Sequence, residues 1–459
     1  MKTNRRDFLK LGAAAAVAPW VWIPNKAFAA STPGFGAAKH VLVLYAKGGL
    51  RSHCTFNAVG TVEHNPFGVA PALAGRQWAL GGGVNASPLT TSLGTVPAFA
   101  DITPDVSVLA CVDHNPGGPN DVDHRTSSNR IATGAPDGVN GLLARIGKDF
   151  SLYASGFSTT AVPPVEINPT EFGFGQGDYA NTRPLSLLSA AGSFASNKPV
   201  GKGWKMEARA ALDQRFKYTR SRAFRFRLNN FLTSKANVRI FADMLEDPLL
   251  NVLNTANAAS TADGVTNAQL LEVLGDGSAP LDANNGVAWG PDIAMALRFF
   301  HFGAPIAIVT RDMYDFHDNE RTLYTPRVSD LTRQLAGLNF LLKAMPHPSG
   351  GTYWDHTIVS VVSEFSRNNT SADGYNSGAG SDHVPQNPGP QRNQALPLMG
   401  GPIAASKGKL IGSTDDQINA TGTVFTSRQL LSTWLDALGF DPAVMATYWA
   451  DAPIGELYV

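Results

Sequence analysis

"PIAIVTRDMYDFHDNE", Pro305 to Glu320, starts as an apolar run and ends in a cluster of polar residues. Its first part, Pro305 to Arg311, is rich in Ile and Val and does not alternate polar with apolar residues. That is the pattern of a strand buried on both faces, as in a parallel sheet. Downstream, "SDLTRQLAGLNFLLKAM" places Leu331, Leu335, Leu338 and Leu342 on one face, with Ser329 or Asp330 as cap. This spacing predicts an amphipathic helix. "TIVSVVSEF", Thr357 to Phe365, is a second buried run. Strand, helix, strand is the crossover unit of a parallel sheet.

Two earlier runs have the same character: "HVLVLYA" (His40 to Ala46) and "VSVLACV" (Val106 to Val112). A closing helix is expected in "SRQLLSTWLDALGFDP", Ser427 to Pro442, with Gly439 near its end. Between the second and third runs, the stretch from Lys205 to Asp247 is strongly helical and basic in its first half. It predicts a helical insertion at about residues 204–275 in one α/β domain spanning 31–459.

Residues 1–30 are set apart from the fold. Arg5-Arg6 precede Phe8-Leu9, then a short apolar run, then the small residues Ala27 to Ala30. This order predicts a twin-arginine signal, handled by the twin-arginine translocase and cut near Ala29 or Ala30. The apolar run is shorter than a membrane span needs, and Pro19 and Pro24 interrupt it. The mature chain is expected in the periplasm or outside the cell, with no membrane span. Lys plus Arg equals Asp plus Glu, 37 each, which gives no electrostatic case for nucleic acid or anionic lipid. In an oxidising compartment Cys54 and Cys111 either pair, stay as free buried thiols or serve as ligands.

Open parallel sheets bind ligands at the carboxyl ends of their strands. The first run leads into "KGGLRSHCTFN", with Lys47, His53, Cys54 and Asn57. The second leads into "DHNPGGPNDVDHRTSSNR", with Asp113, His114 and His124. The third supplies Asp312, Asp315, His317 and Asp318, and the fourth Glu364 and Arg367. A long polar loop then offers Asp382-His383. Glu364 ends a run too apolar to bury an unpaired carboxylate, so it needs a partner, either Arg367 or a metal. Carboxylate and imidazole together suit zinc, manganese or iron, whereas oxygen-only subsets suit calcium or magnesium.

These motifs, in order, resemble the domain-of-unknown-function 1501 (DUF1501) family, grouped with the alkaline phosphatase and sulfatase superfamily. The resemblance rests on "LYAKGGLRSHCTFN", "DHNPGGPNDVDHRTSSNRIATG", "YDFHDN", "VVSEFSR", "GSDHVP" and "TSRQLLSTWLDALGFDP". It implies an α/β fold with a three-layer α/β/α alkaline-phosphatase-like core, and a divalent metal (zinc, manganese or calcium). Asp315 and His317 would hold one ion, Glu364 would stand at a second metal position, and His383 with Asp382 would be late ligands. His124 falls at the nucleophile position, beside Thr126 and Ser127, and Arg367 or Lys47 would steady an anionic group. The departure is Cys54, which stands where the family carries an aspartate, as Asn57 stands for a second; Cys54 becomes a candidate thiolate ligand. The implied activity is hydrolysis of phosphate or sulfate esters. The alternative is a non-catalytic envelope or binding protein keeping the scaffold, with a saccharide-derived ligand.

Overall fold

The computed structural model describes residues 34–51, 55–57, 87–113, 165–167, 185–187, 247–253, 255, 263–279, 288–317, 319–365, 367, 393–415, 419–440 and 451–458. In chain order its strands and α-helices are β1 (His40–Lys47), β2 (Leu89–Thr91), β3 (Gly94–Val96), α1 (Phe99–Ile102), β4 (Val106–Asp113), β5 (Val165–Ile167), β6 (Leu185–Leu187), α2 (Asn267–Leu274), α3 (Gly290–His301), β7 (Ile306–Asp312), α4 (Glu320–Ala344), α5 (Tyr353–His356), β8 (Thr357–Val362), β9 (Asn393–Met399), β10 (Leu410–Ile411), β11 (Phe425–Thr426) and α6 (Ser427–Ala437). The protein is mixed α/β. The main sheet runs β10-β4-β9-β8-β1-β7-β5-β6, with β11 also on β4. All its pairings are parallel except those of β9, which runs antiparallel to both β4 and β8.

Each of the four apolar runs read from the sequence forms a strand, and β8-β1-β7 stand side by side. Strand β1 shows why the runs do not alternate. Leu42, Leu44 and Ala46 enter one hydrophobic cluster with residues of α2, α3 and α4. Val41, Val43 and Tyr45 enter a second with Leu430, Leu431, Trp434 and Leu435 of α6. Both faces of the sheet are therefore covered, so the run from Val41 to Ala46 carries no polar face.

Helix α4 begins at Glu320, nine residues before Ser329 and ten before Asp330, the caps expected from the sequence. Asn319 precedes it at φ 47, in the left-handed region that asparagine tolerates, and Pro326 lies inside it. The buried Asp330 carboxylate instead accepts from the Trp289 backbone N–H at 3.0 Å and from Gln334 Nε2 at 2.9 Å. It thereby serves the start of α3. Helix α6 starts where its sequence predicts: Gln429 N–H donates to Thr426 Oγ1 at 3.2 Å, and Thr426 N–H donates back to Gln429 Oε1 at 3.0 Å.

Within the expected insertion at 204–275, residues 204–246 lie outside the described residues, as do residues 1–30, where the sequence predicts a signal. Among the described residues no helix is long and apolar enough to cross a membrane.

Cys111, on β4, is buried as a free thiol and donates to the Ser413 carbonyl at 3.2 Å; Cys54 lies outside the described residues. Burial pushes the Cys111 thiol up to about 11, so little thiolate exists at neutral pH. Iodoacetamide at pH 8 is expected to leave Cys111 unmodified in the native protein. The same reagent should label it fully in denaturant without reductant, as read by peptide mass mapping. A disulfide would block both reactions.

Candidate functional site

The carboxyl ends of β1, β7 and β8 meet at one edge because those strands are neighbours, and Lys47 stands opposite Asp312 in the β1–β7 register. Strand β1 runs into Gly48-Gly49, both at positive φ, +115 and +87. A Cβ on Gly48 would lie 2.2 Å from the Asp315 backbone nitrogen, and one on Gly49 would lie 2.4 Å from the Phe365 ring. Two glycines are thus what lets the β1 loop press against the loops that follow β7 and β8. The Tyr314 N–H donates to the Lys47 carbonyl at 3.0 Å and extends the β1–β7 contact by one bond.

Three buried side chains from the β8 end bind the β1 strand end and its glycine loop. Glu364 Oε1 accepts from the Gly48 N–H at 2.8 Å, and its Oε2 lies 3.3 Å from Ser363 Oγ. The Ser363 hydroxyl donates to the Ala46 carbonyl at 2.6 Å and accepts from the Leu50 N–H at 2.9 Å. Arg367 donates to the Gly48 carbonyl through Nε at 3.0 Å and through Nη2 at 2.6 Å. Its Nη2 also reaches the Tyr314 carbonyl at 3.3 Å and pairs with Asp315 Oδ1. The Gly48 loop amide is thus among the partners of the Glu364 carboxylate. Arg367, expected at the anionic group of a substrate, sits with its side chain 1% exposed and ties all three loops together.

The solvent side of the edge carries two exposed ion pairs. His317 Nε2 lies 3.0 Å from Asp315 Oδ1, with side-chain exposures of 53% and 35%. Lys47 Nζ lies 2.9 Å from Asp312 Oδ2. Deeper in, Arg51 and Glu320 form a fully buried ion pair at 3.2 Å, and Tyr324 OH donates to the Arg51 carbonyl at 3.0 Å. Sequence reading missed this pair, whose only signal was an arginine in the glycine loop and an acid at the start of α4. Asn57 Nδ2 donates to Thr414 Oγ1 at 2.8 Å, carrying the β1 loop across to the β10 side of the sheet.

Of the expected site residues, the structure gathers Lys47, Asp315, His317, Glu364 and Arg367 at this edge. His124, Cys54, Asp382 and His383 lie outside the described residues. Among the described residues no group of three or more His, Cys, Asp or Glu is arranged to hold a metal ion. Asp315 and His317 present a carboxylate oxygen and an imidazole nitrogen 3.0 Å apart. Two ligands of a tetrahedral zinc ion, at about 2.0–2.2 Å from it, stand about 3.4 Å apart, so the two atoms, now at ion-pair distance, would have to separate by a few tenths of an ångström to share one ion.

The fold is thus that of a mixed α/β protein with a mostly parallel sheet, and charged groups converge at the carboxyl edge of its central strands. Residues 251–456 match the family described as Protein of unknown function (DUF1501), which supports the resemblance carried by "YDFHDN" and "VVSEFSR". The match takes in Asp315, His317, Glu364, Arg367, Asp382 and His383, and stops short of Lys47, Cys54 and His124. No curated protein matches the chain.

Proposed function

We propose that the chain is an exported, metal-dependent hydrolase of phosphate or sulfate esters, built on an alkaline-phosphatase-like three-layer core. One observation carries this reading. A half-exposed Asp315–His317 pair stands on a buried arginine clamp at the carboxyl edge of three adjacent parallel strands.

In this reading Asp315 and His317 hold a divalent cation, and Asp382, His383 and Cys54 complete its ligand set. When bound, the cation polarises the ester oxygen. Arg367 acts through Asp315 as a positioning residue, since its guanidinium fixes the carboxylate while being shielded from solvent. Glu364 and Ser363 hold the Gly48-Gly49 turn against the Asp315 loop. Lys47 attracts the anionic ester; its bond to Asp312, 57% exposed, is of the weak, screened kind that an incoming phosphate or sulfate exchanges readily. His124 is the candidate nucleophile or base.

The test is hydrolysis of aryl phosphates and aryl sulfates by the mature protein loaded in turn with zinc, manganese and calcium. Activity is expected with at least one combination, and both Asp315→Ala and His317→Ala should remove it. Inactivity in every combination sinks the reading.

A second reading, a non-catalytic binding or envelope protein, is favoured by one feature. Arg367 and Glu364 direct their polar groups at loop backbone. It predicts no hydrolysis of any of these esters, and Asp315→Ala lowering stability alone.

A further inference from the structure

Three histidines that no functional motif drew attention to meet at the opposite, amino-terminal edge of the sheet. His40 opens β1, His347 follows α4, and His356 ends α5 just before β8. His40 Nδ1 lies 2.8 Å from the Ala304 carbonyl and its Nε2 3.1 Å from His347 Nε2. A carbonyl only accepts, so the His40 proton is on Nδ1 and its Nε2 is bare. The Ser349 N–H donates to His347 Nδ1 at 3.1 Å, so the His347 proton is on Nε2. The contact between the rings is therefore an N–H donated by His347 to His40. Every nitrogen in this relay has one partner of the right kind. A further proton at His40 Nε2 would set two N–H groups face to face. One at His347 Nδ1 would face the Ser349 N–H.

The surroundings give such a proton little support. The His40 ring lies between Phe300, at 4.6 Å, and Tyr353, at 5.7 Å. Lys39 precedes it, and the His356 ring packs on His347 at 4.2 Å with Nε2 bonded to the Gly350 carbonyl. Behind Tyr353, Asp263 is paired with Arg298 at 2.9 Å and lies 3.7 Å from His301. On α5, the Asp355 carboxylate accepts from the Thr352 N–H and hydroxyl. We propose that the His40–His347 pair is an acid-sensitive latch: it ties the start of β1 to the connection between α4 and α5, and acid opens that edge of the sheet.

Burial pushes His40 down to about 3 and His347 down to about 4, with His356 and Lys39 adding to both shifts. Both values lie below the 6.5 of an exposed imidazole. The sign follows. The closed latch binds fewer protons than the open one, so its stability is complete above about pH 6.5 and declines as pH falls toward 4. Near pH 5 opening takes up close to two protons. Between pH 6 and 4.5 the opening constant should then rise roughly 60-fold for each unit of pH lost.

Native-state hydrogen exchange of the full mature protein reads this at the Lys39, His347 and Tyr353 amides. These bond to the His356, Gly351 and Met345 carbonyls. After correction for intrinsic exchange, the wild-type protein should show the roughly 60-fold slope between pH 6 and 4.5. His347→Gln keeps an N–H donor toward His40 and removes one titrating ring, so its slope should halve, on a logarithmic scale, to about eightfold per unit. A wild-type opening constant that changes less than threefold over this range overturns the latch, as does an H347Q slope equal to wild type.

Discussion

Gly48→Ala is expected to lower the unfolding free energy by roughly 3 kcal/mol or more, the sum of a left-handed backbone penalty and an overpacking cost. The residue sits at φ +115, and the new methyl would meet Asp315 and Tyr314 backbone atoms at 2.2 to 2.9 Å. Backbone on both sides of the clash leaves no side chain free to swing away. Gly36→Ala is the control: it also lies at positive φ, +68, but its added methyl would meet nothing closer than 3.9 Å. It should cost about 1 kcal/mol, the conformational part alone. Gly49→Ala should fall between them, because its methyl meets the Phe365 ring and Arg367 Nε, which are side-chain atoms. Urea unfolding measures all three. Equal losses at Gly48 and Gly36 would mean that the glycine loop is not pressed against the Asp315 loop.

Arg367→Met should cost about 3 kcal/mol, at the low end of what removing one partner of a buried ion pair costs. The lower figure reflects Asp315, whose side chain is 35% exposed and rehydrates once its partner leaves. The larger part comes from the Gly48 carbonyl, which loses both of its Arg367 bonds in the interior. Arg367→Lys should recover little of it, since one ammonium cannot reproduce a planar fork aimed at a carbonyl and a carboxylate. A double-mutant cycle with Asp315→Asn isolates the ion pair, and a coupling of about 1 kcal/mol is expected. Additive losses within experimental error would mean that Arg367 holds backbone alone and does not orient Asp315.

The central strands were legible because burial on both faces leaves a run of Val, Ile and Leu that no solvent-facing helix would carry. Strand β9 was not. Pro397 stands inside it, opposite Val108, and proline inside a run argues against a strand. Strands β5 and β6, of three residues each, are too short for any periodic signal. The start of α4 was masked in the same way, since Pro326 reads as a break although it lies within the helix. At the site, the position of Asp315, His317, Glu364 and Arg367 followed from the rule that parallel sheets expose ligand groups at their carboxyl edge. Their partners did not follow, because Gly48 and Glu364 are more than 300 residues apart in sequence and meet only through strand order. The histidines of the opposite edge left one trace: His40 and His356 each stand at or just before the first residue of a central strand.

Divalent metal content, measured by inductively coupled plasma mass spectrometry on the mature protein, Asp315→Ala and His317→Ala, tests the central claim most directly. The account predicts a bound divalent ion in the wild-type protein, lost in both variants, with near-ultraviolet circular dichroism unchanged. A wild-type protein that stays metal-free after incubation with zinc, manganese and calcium, or variants that keep the ion, would contradict it.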